Sequence, residues 1–455
     1  GGEGSPEFFG RIDDTKYQSG LAKCRNFIVK PHGPVSNRPG FAFVRAVKDS
    51  TRKVRLLPFT FSTTQTMVIE LGHQYIRFHT DGATLLHGAA AAWVTSTAYA
   101  QGDLVTESAN VYYCAAAHTS GTFATDLSAG KWYLQASDAL EIPSPYAEAD
   151  LFDIHYVQSA DVMTLTHPGY APRELRRLGV VKWALQTALF GAPVTPPAAP
   201  TVVASGHTTA KYTYHYVVTA VAGDGTSESA PSSEGSDSGN LFETGAIVTV
   251  SWSAVSGASR YNVYKLQGGI YGYIGQSAGL SIVDDNIAPD LSQTPPIYEA
   301  VFNAAGDYPG AVSYYEQRRC FAGTTNKPQN IWMTKSSTES DMSYSLPIRD
   351  DDRIAFRVAA REANTIRHIV PLSQLLLLTS SAEWRVTSVN NDAITPTSIS
   401  VRPQSYVGAS NVQPVIINNT LIYGAARGGH VRELGYNWQA QGFVTGDLSL
   451  RSPHL

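Results

Sequence analysis

Apolar and polar positions alternate with a period of two along most of this chain, the pattern of half-buried strands. The clearest runs share one plan: an apolar strand, a short polar turn, then a strand carrying an arginine. The plan is found at Gln65 to Arg77, Asp161 to Arg176, Gln374 to Arg385 and Thr420 to Arg432, with a looser copy from Arg318 to Trp332. Start-to-start spacings are 96, 157, 56 and 46 residues, and removing two stretches of different texture, 83–140 and 198–295, reduces the first two to 38 and 59. Periods of this size predict propeller blades, meanders that bury their faces only by stacking. The pattern thus predicts a mainly-β fold: a β-propeller-like core of multi-stranded blades with two inserted small β domains. An irregular β-sandwich with look-alike hairpins is the alternative. One helical signal, Lys182 to Phe190 (KWALQTALF), reads as a short helix.

The interrupting stretches divide the chain into an N-terminal arm and first blade (1–82), an inserted module (83–140), core (141–197), a second inserted domain (198–295) and core again (296–455). The first insertion opens on an Ala-rich run, Gly88 to Ala92, and then carries closely spaced aromatics. The second is bounded by Pro196-Pro197-Ala198-Ala199-Pro200 and Thr294-Pro295-Pro296. Its alternations Tyr212-Tyr214-Tyr216-Val218 and Val248-Val250-Trp252 turn one face toward a sandwich core. Loop-closure entropy grows only logarithmically with length, so both segments are expected to project as separable modules.

Composition sharpens this reading. Charged residues are 16% of the 455, with 38 Gly, 25 Pro and 24 Tyr against 4 Met, a balance suited to short strands and tight turns. The net charge of -4 lacks the Lys/Arg excess of a protein that grips nucleic acid by neutralising phosphates. Residues 198–295 hold eight acids against three cations, which leaves the remainder near neutrality. Cys24, Cys114 and Cys320 are an odd, widely spaced set, pointing to folding in a reducing cytoplasm with neither a disulfide framework nor a thiolate zinc site. No run of 18 apolar residues occurs. The start, Gly1-Gly2-Glu3, does not read as a signal peptide, and with no opening Met we expect a processed or partial chain.

Three resemblances follow from particular residues. In 83–140, Trp93, Tyr99, Gly102-Asp103, Val105, Tyr113, Gly130 and Trp132 resemble the order found in small type 3 chitin-binding modules. That resemblance implies stacking of a host-surface glycan on exposed rings, with Tyr112 and Phe123 as candidate contacts, although the family's exposed tryptophan pair is replaced by Cys114-Ala115-Ala116-Ala117-His118. Residues 200–290 resemble a fibronectin type III or Ig-like domain, carried by Pro200-Thr201, the two alternations and Tyr261-Val263-Tyr264. The remainder resembles the tail tubular protein B, or nozzle, family of short-tailed bacteriophages. The carrying residues include Ser5-Pro6-Glu7, Gly10-Arg11, Cys24-Arg25-Asn26-Phe27, Pro31-His32-Gly33 and Asn37-Arg38-Pro39-Gly40. Further along they are Tyr156-Val157-Gln158-Ser159-Ala160-Asp161, Tyr315-Glu316-Gln317-Arg318-Arg319, Phe321-Ala322-Gly323-Thr324 and Pro328-Gln329-Asn330-Ile331-Trp332.

That resemblance implies a virion tail protein, assembled in the bacterial host cytoplasm as a hexameric homo-oligomer and used in genome ejection. Implied partners are a tail adaptor protein, tail fibres, and double-stranded DNA passing without specific binding. Family members begin slightly earlier and run well past His454-Leu455, so a trimmed chain, truncated at the C-terminus, is expected.

Enzyme chemistry finds little footing: the sialidase-type Ser-x-Asp-x-Gly-x-x-Trp box is absent, and Ser159 and Ser381 lack a G-x-S-x-G context, so neither reads as a nucleophile elbow. Asp350-Asp351-Asp352 is the densest carboxylate cluster, read as a solvated loop because no DxDxDG spacing appears. His118, His155, His167 and His430 read as surface or turn residues. A non-enzyme with no catalytic residue, metal site or cofactor is expected. Candidate subunit-interface residues are Arg77, Arg385 and Arg432 of the repeat, facing a neighbouring blade or subunit, and Arg38-Pro39-Gly40, a rigid turn launching the N-terminal arm.

Overall fold

The computed structural model describes residues 2–30, 32–62, 65–192, 194–225, 227–360, 362–389 and 393–450. Gly1 and Pro31 of the N-terminal signature and the end of the chain from 451 lie outside them. The protein is nearly all β, its core made of antiparallel meanders of four strands in chain order, to which blade 1 adds a fifth, two-residue strand, Ala83–Thr84. Blade 1 comprises Arg55–Thr60, Thr66–Gly72, Tyr75–Thr80 and Glu141–Pro143, and blade 2 His155–Ser159, Val162–His167, Tyr170–Arg177 and Trp183–Thr187. Blade 3 comprises Ala311–Tyr315, Arg318–Ala322, Asn330–Met333 and Ile354–Arg357. Ile366–Pro371, Leu375–Thr379, Glu383–Thr387 and Ser400–Ser405 form blade 4; Val415–Ile417, Thr420–Gly424, Val431–Asn437 and Gly442–Asp447 form blade 5.

Each copy of the sequence repeat supplies the second and third strands of one blade. In blade 1 the alternation follows one dry face: Leu57, Phe59, Met67, Ile69 and Ile76 are buried while Leu56, Pro58 and Val68 are exposed; the second strands of blades 3 and 4 are buried throughout, between neighbours on both sides. Turn chemistry fits as well. Glu316 and Gln317, the two tip residues of the first hairpin of blade 3, both have positive φ (45° and 60°), as a type I′ turn requires.

Blades stack face to face. Phe59 and Phe78 of blade 1 meet Trp183 of blade 2 at ring-centroid distances of 5.0 and 4.3 Å. Phe190, following blade 2, meets Phe302 and Phe321 ahead of and within blade 3 at 5.1 and 5.0 Å. Further apolar clusters join blades 3 and 4 through Ile331, Ile354, Ile369 and Leu377, and blades 4 and 5 through Leu376, Leu378, Leu421 and Leu434. Gly323, at φ +73°, sits where a Cβ would lie 2.3 Å from the carbonyl oxygen of Ile366, so blades 3 and 4 approach as closely as they do only with glycine there. Closure of blade 5 onto blade 1 is not observed among the described residues.

Trp183–Thr187 is a strand, which corrects the helix expected from Lys182 to Phe190. The segment has no long helical stretch of its own, and placing Trp183 between the rings of blade 1 outweighs weak local propensity.

The insertions differ in attachment. Residues 83–140 join the third and fourth strands of blade 1 and carry a small sheet of Ala91–Ala92, Leu104–Glu107, Asn110–Cys114 and Trp132–Leu134. Tyr113, 1% exposed, belongs to the core between blades 1 and 2, and its hydroxyl donates to the Trp183 carbonyl at 2.9 Å. This corrects the expectation of a projecting, separable first module: its central strand helps fill the blade core. Residues 198–295 lie between blades 2 and 3 as a sandwich with a three-stranded and a four-stranded sheet. That sandwich has its own core of Tyr216, Val218, Val248, Val250, Tyr261 and Val263.

Candidate functional site

The first strands of blades 2 to 5 converge, lining a single cavity of about 130 Å³. Blade 1 contributes no residue to its lining. Contacts distant in sequence hold it: Asn411 Nδ2 donates to Asp153 at 2.6 Å, and Gln413 Nε2 donates to the Tyr156 carbonyl at 3.1 Å. Arg55, from the first strand of blade 1, donates to the carbonyls of Leu151 and Ile154 at 2.8 and 2.7 Å.

Two histidines occupy the wall of this cavity, edge to face at 4.9 Å: His155 of blade 2 and His368 of blade 4. His368 Nε2 lies 2.7 Å from the Ser410 carbonyl, so it carries the proton, leaving Nδ1 without a partner. Neither nitrogen of His155 has a hydrogen-bond partner, although the backbone at Gly310 and Asn411 faces the ring. Burial drives both imidazoles toward the neutral form, down to about 4 for His155 and about 3 for His368, and Arg55 and Arg367 push the same way. The pair is thus uncharged at neutral pH. Among the described residues of the cavity lining, Ser313 and Tyr156 carry the hydroxyls, and none carries a carboxylate or a thiol. Among the described residues no three His, Cys, Asp or Glu side chains converge as a metal-ligand set.

A second buried polar feature joins blades 2 and 3. Arg319 is fully buried; its NH1 donates to Glu174 at 2.7 Å and to Thr164 Oγ1 at 3.0 Å, and its Nε donates to the Glu339 carbonyl at 2.5 Å. Burial raises the Glu174 carboxyl, but the guanidinium groups of Arg319 and Arg176 outweigh it and hold the group below its usual range.

The residues singled out from the sequence fall in different places. Arg77 is a correction: it is buried in its own blade, directly across from Glu141 on the fourth strand and 3.0 Å from that carboxylate, and so is no subunit-interface residue. Arg385 reaches the neighbouring blade, donating to the Gln441 carbonyl at 3.1 Å. Arg432 donates to Thr445 Oγ1, at 3.4 Å, within blade 5. Arg38, Pro39 and Gly40 are exposed, with Arg38 over the Phe41 ring at 4.2 Å. Gly40 is not at positive φ; nearby Gly33 is, at +103°.

Tyr112 and Phe123 pack against each other at 4.8 Å, and Phe123 also contacts Trp93 and Trp132. Both are half-buried parts of the module's aromatic cluster, and every aromatic side chain of 83–140 is buried or half-buried. Both rings thus serve first as packing partners within the module. Asp352 is buried and accepts from Ser345 N, Ser345 Oγ and Arg349 N, while Asp351 pairs with Lys335 at 3.3 Å. The expected solvated loop is instead a tied one, its carbonyls at Asp350 and Asp352 accepting from buried Arg318.

His155, His368 and Arg319 were missed as core polar groups. Their burial depends on which blades meet, and no local spacing encodes that; only the double arginine after a hairpin tip hinted at Arg319. No protein-family model matches the chain, and no curated protein matches it significantly.

Proposed function

We propose that the protein is a structural, non-enzymatic subunit of a short-tailed bacteriophage tail, similar to tail tubular protein B, forming with other copies a nozzle ring through which the genome leaves. The observation that carries this reading is where the nozzle-like residues lie: the exposed arm, the hairpins of blades 2 and 3, and the tight junction at Gly323. The two insertions fall between strands or blades, where a core of this plan accepts extra domains. A net charge of -4 suits a conduit, because strong phosphate neutralisation would hold the cargo in a salt-dependent grip. In this reading the copies form a six-fold ring, an adaptor ring sits on one side and tail fibres attach outside. Light scattering on the chain alone and mixed with the adaptor ring tests it: a defined ring or a stoichiometric complex is expected, and a monomer inert toward the adaptor counts against it.

A further inference from the structure

Between residues 15 and 48 the chain places seven Lys and Arg and not one Asp or Glu. The whole protein has a net charge of -4, so everything outside that segment sums to -11. The same stretch is uncovered. Among the described residues of 2–50 only Ser5 is buried. Phe41 and Phe43 are 85% and 84% exposed, and Phe27, Ile28 and Val35 about half exposed. The hairpin of Phe27–Val29 and Val35–Asn37 forms a two-stranded sheet of its own. Polar ties to the body come at the end of the arm, where Arg45 meets Asp138 and Lys48 meets Glu141, each at 2.5 Å.

Scattered exposed apolar residues are ordinary, but a run of them interleaved with one sign of charge is the composition of an interface. Phosphates could answer the cations; they offer nothing to Ile28, Val35, Phe41 and Phe43. A protein surface of opposite charge answers both, and the rest of this chain has that charge. We propose that the arm, residues 15–48, docks on the acidic body of a second copy of this chain, with Phe41 and Phe43 as its apolar anchors and its cations up to Arg38 paired with the neighbour's carboxylates, while Arg45 and Lys48 keep their own ties to Asp138 and Glu141. The inference rests on charge and exposure alone. A ring built through other surfaces would remove it and leave the tail assignment standing.

The test is sedimentation of the full chain at high micromolar concentration, across salt, beside the variant carrying Phe41→Asp and Phe43→Asp and with a fluorescent DNA duplex as a competing partner. Expected are association of the parent chain, weakening as salt screens the charges, and a loss of about 100-fold or more in affinity in the variant. Both substituted positions are exposed, so the variant's circular dichroism and thermal midpoint should match the parent's. A parent chain that stays monomeric, association indifferent to the substitutions, or an arm-dependent grip on the duplex with the copies remaining apart would each overturn the proposal.

Discussion

Trp183 is fully buried between Phe59 and Phe78, so truncating it empties a volume that two blades share. Trp183→Ala should lower the unfolding free energy by about 3–5 kcal/mol, seen as a fall in the urea midpoint; a loss within error would show that the blades do not meet there. The cavity histidines carry a pH signature. His155 and His368 are neutral in the fold, with Arg55, Arg367, Asp153 and each other as their charged or titratable neighbours. The unfolded chain protonates them near 6.5 and the folded chain only near 4 and 3. Below 6.5 the unfolded state therefore binds more protons. Their contribution is full above that pH and is lost as pH falls toward 4, at up to about 1.4 kcal/mol per pH unit for each ring. His155→Phe, which removes one of the two titrating rings, should flatten the dependence of the denaturation midpoint between pH 6.5 and 4; an unchanged slope would contradict the assignment. Arg319→Met leaves Glu174 buried with only Arg176 beside it, and should cost about 3–5 kcal/mol, whereas the same change at exposed Arg38 should be near neutral in chemical denaturation.

At the scale of elements, the two insertions should respond differently to removal. Replacing 198–295 by a short Gly/Ser bridge should leave the blades folded with a cooperative transition, because that domain packs around its own core. Removing 83–140 takes Tyr113 and its hydroxyl bond from the core between blades 1 and 2. Calorimetry should then show a clear drop in midpoint for the second deletion and a small one for the first; equal effects would contradict this. The blades were legible because Leu57, Phe59, Met67 and Ile69 alternate with residues that point to water, and a period of two survives without any partner being known. Val248 and Val250 announced the sandwich through the same period of two, each buried between half-buried neighbours. What was not legible depends on contacts between elements. Trp183 sits in a segment whose helical look is local, and its strand state is decided by blade 1. Tyr113 reads as module core until its neighbour across the sequence is seen. Arg77, read as outward-facing, is held by Glu141, brought opposite it only after the intervening module has folded back.

For the whole molecule, five stacked meanders bring the first strands of blades 2 to 5 together around one cavity, with an exposed cationic arm at one end of the chain. In the proposed reading such a body stands beside copies of itself around a passage. The aromatic rings of the first insertion pack largely against one another. The direct measurement is electron cryo-microscopy of intact phage particles labelled with an antibody fragment raised against this chain. The account predicts label on the distal tail, in six-fold register about its axis and close to the path of the DNA. Label on the capsid, on the fibres alone, or nowhere on the particle would contradict it.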